Sequence, residues 1–306
     1  MSKQQPVRIG VDLGGTKTEI IALSPDGEML TRKRVASPQG DYEATVKNVV
    51  NLVRGVEAKL GLTQEHSLVG IGTPGAVSKD SGLMKNSNST WLNGRALKRD
   101  IQLHLQRPVR LENDANCFVL SEATDGAAKG ASVVFGVIMG TGTGGGLVVN
   151  GQVVRGCNLI AGEWGHNPLP WPGPDEQPGP SCYCGKQGCI ETFLSGPGMQ
   201  AQYRHVTGTA LSAHGIVAQA ADGDELAETV LQDYERRLAK ALASVINVVD
   251  PDVIVLGGGM SNIERLYTRV PLLWGEYVFS DVVATVLKAP IHGDSSGVRG
   301  AAWLWG

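Results

Sequence analysis

The chain has 306 residues, long enough for two α/β lobes or one large domain with a sizeable core. Its 27 basic and 30 acidic residues leave a net charge of −3, with no basic run to suggest a nucleic-acid or membrane footprint. No apolar run approaches the roughly 18 residues of a membrane span, and the opening MSKQQPVRIG has no signal-peptide core, so the expected compartment is the cytoplasm.

Arg8 to Leu13 reads as a strand, Gly14-Gly15 as a turn, Thr16 to Leu23 as a second strand and Glu28 to Val35 as a third. Asp41 can cap a helix that carries Val46, Val49, Val50, Val53, Val56 and Leu60 at helical spacing and stops at Gly61. Leu68 to Gly72 is a strand, Ala96 to Leu105 a helix, and Val109 to Leu111 a strand running into Asn113-Asp114, where a helix begins. The opening pattern then recurs about 125 residues on: strand Val133 to Met139, glycine turn Gly140 to Gly146, strand Leu147 to Val149, turn Asn150-Gly151, strand Val153-Val154. That recurrence predicts two related lobes. Trp171 to Pro180 reads as a loop. Asp224 to Val249 is a long helix, and Val253 to Leu256 a buried strand ending in Gly257-Gly258-Gly259, with a helix after Ser261. Gly297 to Trp305 is a final short helix.

Several of these turns have the composition of binding sites. Asp12 ends the first strand, where a hard oxygen ligand could hold Mg²⁺. Gly14, Gly15, Thr16 and Lys17 follow it, offering backbone N–H groups, a hydroxyl and a charge to an anion. The stretch Gly140 to Gly145 formally fits the dinucleotide fingerprint G-x-G-x-x-G, but it leads into a strand rather than a helix. It reads better as a second phosphate loop, with Thr141, Gly142, Thr143 and Gly144 as its working residues. Gly257, Gly258 and Gly259 could bed a planar ring or simply form a turn needing positive φ. Asp114 is either a helix cap or, as the acid near two phosphate loops, a base. His166, Cys182, Cys184 and Cys189 supply one imidazole and three thiolates in a C-x-C-x₄-C arrangement, which matches a closed, structural Zn²⁺ site. Glu163 and Glu191 flank that group. Cys117 reads as helix packing, and Cys157 has no partner in this scheme.

These segments resemble the ROK sugar kinases: DLGGTK (Asp12 to Lys17), GTPG (Gly72 to Gly75), ENDAN (Glu112 to Asn116), GTGTGGG (Gly140 to Gly146), AGEWGH (Ala161 to His166), CYCGKQGCIE (Cys182 to Glu191) and LGGG (Leu256 to Gly259). The stretches Asn88 to Gly94 and His166 to Trp171 look like the fructokinase branch. The resemblance implies a two-lobed hexokinase/actin-like, ribonuclease H-like α/β fold with an active-site cleft between lobes. The expected small lobe is 1–117 with the C-terminal helix at about 295–306, and the large lobe 118–294 holds a zinc loop at 166–191. It implies Asp114 as catalytic base, and Gly75, Asn113, Asp114, Glu163, His166 and Glu191 around the sugar. His166 would then use one nitrogen for zinc and the other for a sugar hydroxyl. ATP, with Mg²⁺, and a hexose are the expected partners, in a homodimer. Fructose is the first expected substrate; N-acetylhexosamine, glucose and mannose are alternatives. Between His166 and Cys182 the spacer is longer than in many relatives.

Three rivals are weaker. A sugar-sensing regulator of this family needs an N-terminal helix-turn-helix, and only seven residues precede the first strand. A silent sugar-binding module would not need Asp114, and a dehydrogenase would need a helix after Gly146.

Overall fold

The computed structural model describes residues 5–306; Met1 to Gln4, the start of the segment read for a leader, lie outside the described residues. No helix among the described residues is long and apolar enough to cross a membrane. Two compact units divide the chain. The first holds the chain up to Lys129 with Gly151–Ala161 and Asp294–Gly306, and the second holds Gly130–Asn150 and Gly162–Gly293.

Elements are numbered in chain order. In the first unit, β1 (Val7–Leu13), β2 (Lys17–Leu23), β3 (Met29–Ala36), β4 (Ser67–Thr73) and β7 (Arg110–Asn113) form one sheet ordered β3-β2-β1-β4-β7. β1 runs antiparallel to β2 and parallel to β4, and β4 parallel to β7. A two-stranded ribbon of β5 (Ala76–Val77) and β6 (Met84–Lys85) stands apart from it. Helix α1 (Tyr42–Leu60) starts where Asp41 accepts the Ala44 N–H and stops at Gly61 with φ of 64°, as the sequence predicts. Its valines join Ile9, Val11, Ile20 and Ile71, together with Leu97, Ile101 and Leu105 of α2 (Leu97–Leu105), in one buried cluster. Helices α3 (Asp114–Thr124) and α9 (Ser296–Trp303) pack on each other. Gly10, Gly70 and Gly300 permit that layer, since a Cβ on any of them would strike neighbouring backbone. The short strand β10 (Gln152–Val153) belongs to this unit as well.

The second unit repeats the plan. β8 (Val133–Met139) and β9 (Thr143–Val149) form an antiparallel pair, and β8, β11 (Val253–Gly257) and β12 (Val286–Lys288) run parallel, in the order β9-β8-β11-β12. Hairpin first, parallel strands after, is the same sequence of directions as in the first sheet. The long helix α7 (Glu225–Val249), capped by Asp224, buries a continuous apolar stripe against this sheet. The sequence pattern missed α4 (Ile190–Leu194), α5 (Gly196–Thr207) and α6 (Ala213–Ala221), which complete the core with Phe193, Leu194, Met199, Tyr203 and Ile216. After β11 there is a 3₁₀ turn over Gly259–Asn262, and the regular helix α8 (Leu266–Leu273) starts later than Ser261 suggested.

The expected seven-residue glycine turn is shorter. Only Gly140–Gly142 turns; Gly144, Gly145 and Gly146 are paired in β9. The reason at Gly145 is packing, because a Cβ there would meet the Trp164 and Phe135 rings at 2.9 Å. This hairpin leads into a strand, which removes the structural basis of the dinucleotide reading.

Candidate active site

In the first unit, the sequence-derived residues gather at the carboxyl end of the parallel strands, where α/β sheets commonly bind ligands. Asp12 pairs with Gly72 across the β1–β4 ladder, and Thr73 pairs with Asn113 across β4–β7. Beyond Asp12, Gly14 donates to the Lys17 carbonyl at 3.0 Å, closing the turn. Ser37 Oγ donates to the Gly14 carbonyl at 2.7 Å and contacts Thr18 Oγ1 at 2.8 Å, so two buried hydroxyls fix the turn's shape. Thr16 and Lys17 are exposed.

Asn113 and Asp114 divide the work at the start of α3. Asn113 is the N-cap: its Oδ1 accepts the Ala115 N–H at 2.9 Å, and its Nδ2 donates to the Gly75 carbonyl at 3.1 Å. Gly75, with φ of 77°, is required by close approach, since a Cβ would lie 2.5 Å from the Lys85 carbonyl. Asp114 is the first helical residue, half-buried, and its Oδ1 shares the Ala115 N–H at 2.8 Å. The electrostatics of this edge are unusual. Burial first, then the Asp114 and Glu19 carboxylates, push the Asp12 carboxyl up to about 7, and Arg34 only partly opposes them. Glu19 is itself held by Arg32 and Arg34, so the repulsion left at this edge is that between Asp12 and Asp114. Two such neighbouring carboxylates suit a divalent cation, so Asp12 fits a Mg²⁺ role.

Sequence reasoning used Glu112 only as part of a motif. In the structure it is buried, and its Oε1 accepts from Asn113 N and Asn116 Nδ2, each at 3.0 Å. Its Oε2 pairs with Arg155 at 2.5 Å. Thr73, Glu112, Asn113, Asn116, Arg155 and Leu159 line a pocket of ≈ 220 Å³. Thr73 Oγ1 and Asn116 Oδ1 are buried there without a hydrogen-bond partner among the described residues, a state that a polar ligand or water would relieve. No local signal links Arg155 to Glu112, because 43 residues separate them.

The second unit assembles its own group. The Gly140–Gly142 turn sits beside Gly258, whose φ of 78° and contact with the Met139 carbonyl exclude a Cβ. Gly259 next to it is open, so at Gly258 the turn explanation applies and only Gly259 offers free backbone surface. Gly257 is buried as the last residue of β11. Thr141 is exposed and Thr143 buried at the start of β9. Glu191, on α4, accepts the Thr143 N–H at 2.8 Å, and a Cβ on Gly142 would crowd the same carboxylate at 2.6 Å. This amide of the expected phosphate loop is therefore already engaged by Glu191. Glu163 is exposed just before the 3₁₀ turn Trp164–His166, which is pinned by Trp164 Nε1 donating to the Gly144 carbonyl at 3.1 Å.

His166, Cys182, Cys184 and Cys189 come together as the spacing predicts, with all ligand atoms within 4.8 Å of one another. The Cys184–Cys189 sulfurs are 3.6 Å apart, and Cys182 Sγ is 3.6 Å from His166 Nδ1. Two sulfurs each about 2.3 Å from a tetrahedral zinc would be roughly 3.8 Å apart, so the cluster fits that ion. The Cys182 N–H donates to the Lys186 carbonyl at 2.8 Å, and Gly185 N to the Cys182 carbonyl at 3.0 Å, folding a tight knuckle. Burial and the neighbouring thiols push Cys189 up to about 12, while the Lys186 backbone N–H lowers Cys184. The other His166 nitrogen, expected to face a sugar, meets Tyr183 Oη at 3.0 Å.

A family model described as the ROK family matches residues 8–306. The chain belongs to the ROK family. A curated relative, the N-acetyl-D-glucosamine kinase of Photobacterium profundum, is 41% identical, over 96% of this chain and 98% of its own. A ROK hexokinase from Thermus thermophilus superposes with a TM-score of 0.86 at 29% identity, covering 97% of each chain. A ROK glucokinase from Streptomyces griseus, solved with glucose and AMPPNP, gives a TM-score of 0.75 at 27% identity, covering 97% of this chain and 98% of that one. With two sheets of matching direction, this ROK chain has the hexokinase/actin-like α/β fold expected from its sequence.

Proposed function

We propose that this ROK protein is an ATP-dependent sugar kinase that phosphorylates a hydroxyl of an N-acetylated hexosamine, with N-acetyl-D-glucosamine as the first candidate. The observation that carries the phosphotransferase reading is the Asp12–Asp114 pair beside the Gly14–Lys17 turn. Full-length similarity to an N-acetyl-D-glucosamine kinase supports the sugar class and favours it over the expected fructose. Fructose is the second reading, supported by the fructokinase-like stretches Asn88 to Gly94 and His166 to Trp171.

Phosphoryl transfer needs positioning and charge stabilisation more than covalent help. Asp114 accepts the proton of the attacking hydroxyl, and Asn113 fixes its backbone by capping α3. Asp12 would hold Mg²⁺, which neutralises charge on the transferred phosphate. Gly14, Gly15, Thr16 and Lys17, with Thr141 and Gly142, contact phosphates, and Gly259 offers its open backbone to the nucleotide, while Thr143, Gly144, Gly257 and Gly258 shape the two turns that present these groups. Gly75, Glu163, His166 and Glu191 join Asn113 around the sugar. Glu191 enters with its Oε2 fixed by the Thr143 N–H, and a sugar hydroxyl at His166 replaces Tyr183 Oη. His166, Cys182, Cys184 and Cys189 would hold a closed-shell Zn²⁺, leaving it a structural role. A cytoplasmic homodimer belongs to the same proposal.

The test is an ADP-release screen of N-acetyl-D-glucosamine, N-acetyl-D-mannosamine, glucose, mannose and fructose, with the phosphorylated carbon identified. Asp114→Asn should lower turnover ~10²–10⁴-fold while ATP still binds. An Asp114→Asn protein with full turnover removes the base assignment, and a parent silent on every sugar removes the kinase reading.

A further inference from the structure

The first unit contains a larger cavity of ≈ 600 Å³ that none of the kinase roles uses. Lys98, Arg110, Arg155, Gln152, Trp303 and Trp305 line it, and no aspartate or glutamate does. Gly306, the last residue, lines it too with its carbonyl oxygen held by Arg8, and Arg155 is paired with Glu112, so Lys98 and Arg110 are the cations that give the cavity its positive field. Lys98 is exposed and has no ion pair among the described residues. Arg110 lies over the Trp305 ring at 4.4 Å and donates to the Leu304 carbonyl, which leaves guanidinium donors for a ligand.

The aromatic side is rigid. Trp305 Nε1 donates to the Val69 carbonyl at 2.8 Å, and Trp303 Nε1 to Asp125 Oδ2 at 3.1 Å. Both indoles are half-buried and locked by their own N–H groups, so their faces are set before any ligand arrives. Fixed ring faces beside converging cations suit a ring compound bearing a phosphomonoester.

We propose that this cavity binds a sugar phosphate and transmits its occupancy to the start of α3. The link is Arg155, which lines the cavity with its side chain 51% exposed and holds the buried Glu112 with the same guanidinium. Glu112 in turn accepts the Asn113 N–H and Asn116 Nδ2. A phosphate that draws Arg155 towards itself weakens its hold on Glu112 and so loosens the cap beside Asp114. The binding half stands on the cavity alone; the transmission half rests on Asp114 being the base.

The experiment titrates hexose 6-phosphate, inorganic phosphate and AMP into the parent, into the Lys98→Gln/Arg110→Gln double variant and into Asp114→Asn, by calorimetry. The parent and Asp114→Asn should bind hexose 6-phosphate alike, and the double variant at least ~10-fold more weakly. In the parent, saturating hexose 6-phosphate should also change kcat several-fold in a way that added sugar does not reverse, and the double variant should lose that change. Unaltered binding by a folded double variant overturns the site. Inorganic phosphate binding as tightly as hexose 6-phosphate overturns the ring recognition, and AMP binding more tightly replaces the sugar phosphate by a nucleotide. Binding without any effect on kcat overturns the transmission alone. A parent with no kinase activity would sink the catalytic proposal and leave the calorimetric result standing.

Discussion

Glu176 sits in the proline-rich spacer ahead of the Cys/His knuckle, 3% exposed, and its fate tests how that spacer is held. Its carboxylate accepts from Arg237 Nε at 2.7 Å, Lys240 Nζ at 3.0 Å and the Gly173 N–H at 2.8 Å. Arg237 and Lys240 are themselves buried, one helical turn apart on α7. Burial raises the Glu176 carboxyl, but the Gly173 N–H, Arg237 and Lys240 outweigh it and hold it at about 2. Held at about 2 against an ordinary 4.5, that carboxyl contributes about 3 kcal/mol at neutral pH. Stranding buried cations typically costs about 3–5 kcal/mol, so two routes give the same size. Glu176→Gln should therefore lower the melting temperature of the second unit by about 6–12 °C, at roughly 2–4 °C per kcal/mol. Because the folded carboxyl is depressed, its contribution is complete above about 4.5 and is lost as the pH falls towards about 2. The gap between parent and variant should follow that course in calorimetric scans from pH 7 down to pH 3. Glu176→Gln melting within about 2 °C of the parent at pH 7 would refute the reasoning, as would a gap that widens in acid.

Three further outcomes follow from the same physical picture. Elemental analysis should find about one zinc per chain, and chelation should lower the melting temperature; a metal-free protein of equal stability would remove the zinc site. Asp12 titrates at about 7 against an ordinary 3.8, so its ionised form opposes folding as pH rises through that interval. Asp12→Asn, scanned with no divalent cation added, should be more stable than the parent at pH 8, by a margin that disappears near pH 4, while losing Mg²⁺-dependent turnover; a less stable variant at pH 8 contradicts the electrostatic account. Gly258→Ala places a Cβ against the Met139 carbonyl at φ of 78° and should cost at least about 1–3 kcal/mol in chemical unfolding; a neutral change would mean that this turn relaxes.

Much of the fold was legible because its signals are local. Asp41 and Gly61 bound α1 where a cap and a left-handed residue were expected, and Val133 to Met139 matches β8 end to end. The knuckle was legible too, since thiolate spacing within eight residues leaves few ways to gather the sulfurs around a nearby imidazole. α5 and α6 went unread: only Met199 and Tyr203 in the twelve residues of α5 and Ile216 in the nine of α6 are buried apolar side chains, too few to give a helical period.

The sequence by itself determined the longer strands and the helices with a strong apolar period or cap, the two glycine-turn hairpins, the members of the Cys/His cluster and Asp114 at the opening of a helix. Only the tertiary structure decided that Glu112 joins Arg155 to Asn113, that Glu176 ties the spacer to α7, and that Gly145 serves ring packing within a strand. Backbone dihedrals and hydrophobic period act between neighbours, so they leave a readable pattern. The ion pairs join residues 43–64 positions apart, and the rings at Gly145 come from a neighbouring strand and a following turn, so no short-range regularity marks either kind of partner until the chain has folded.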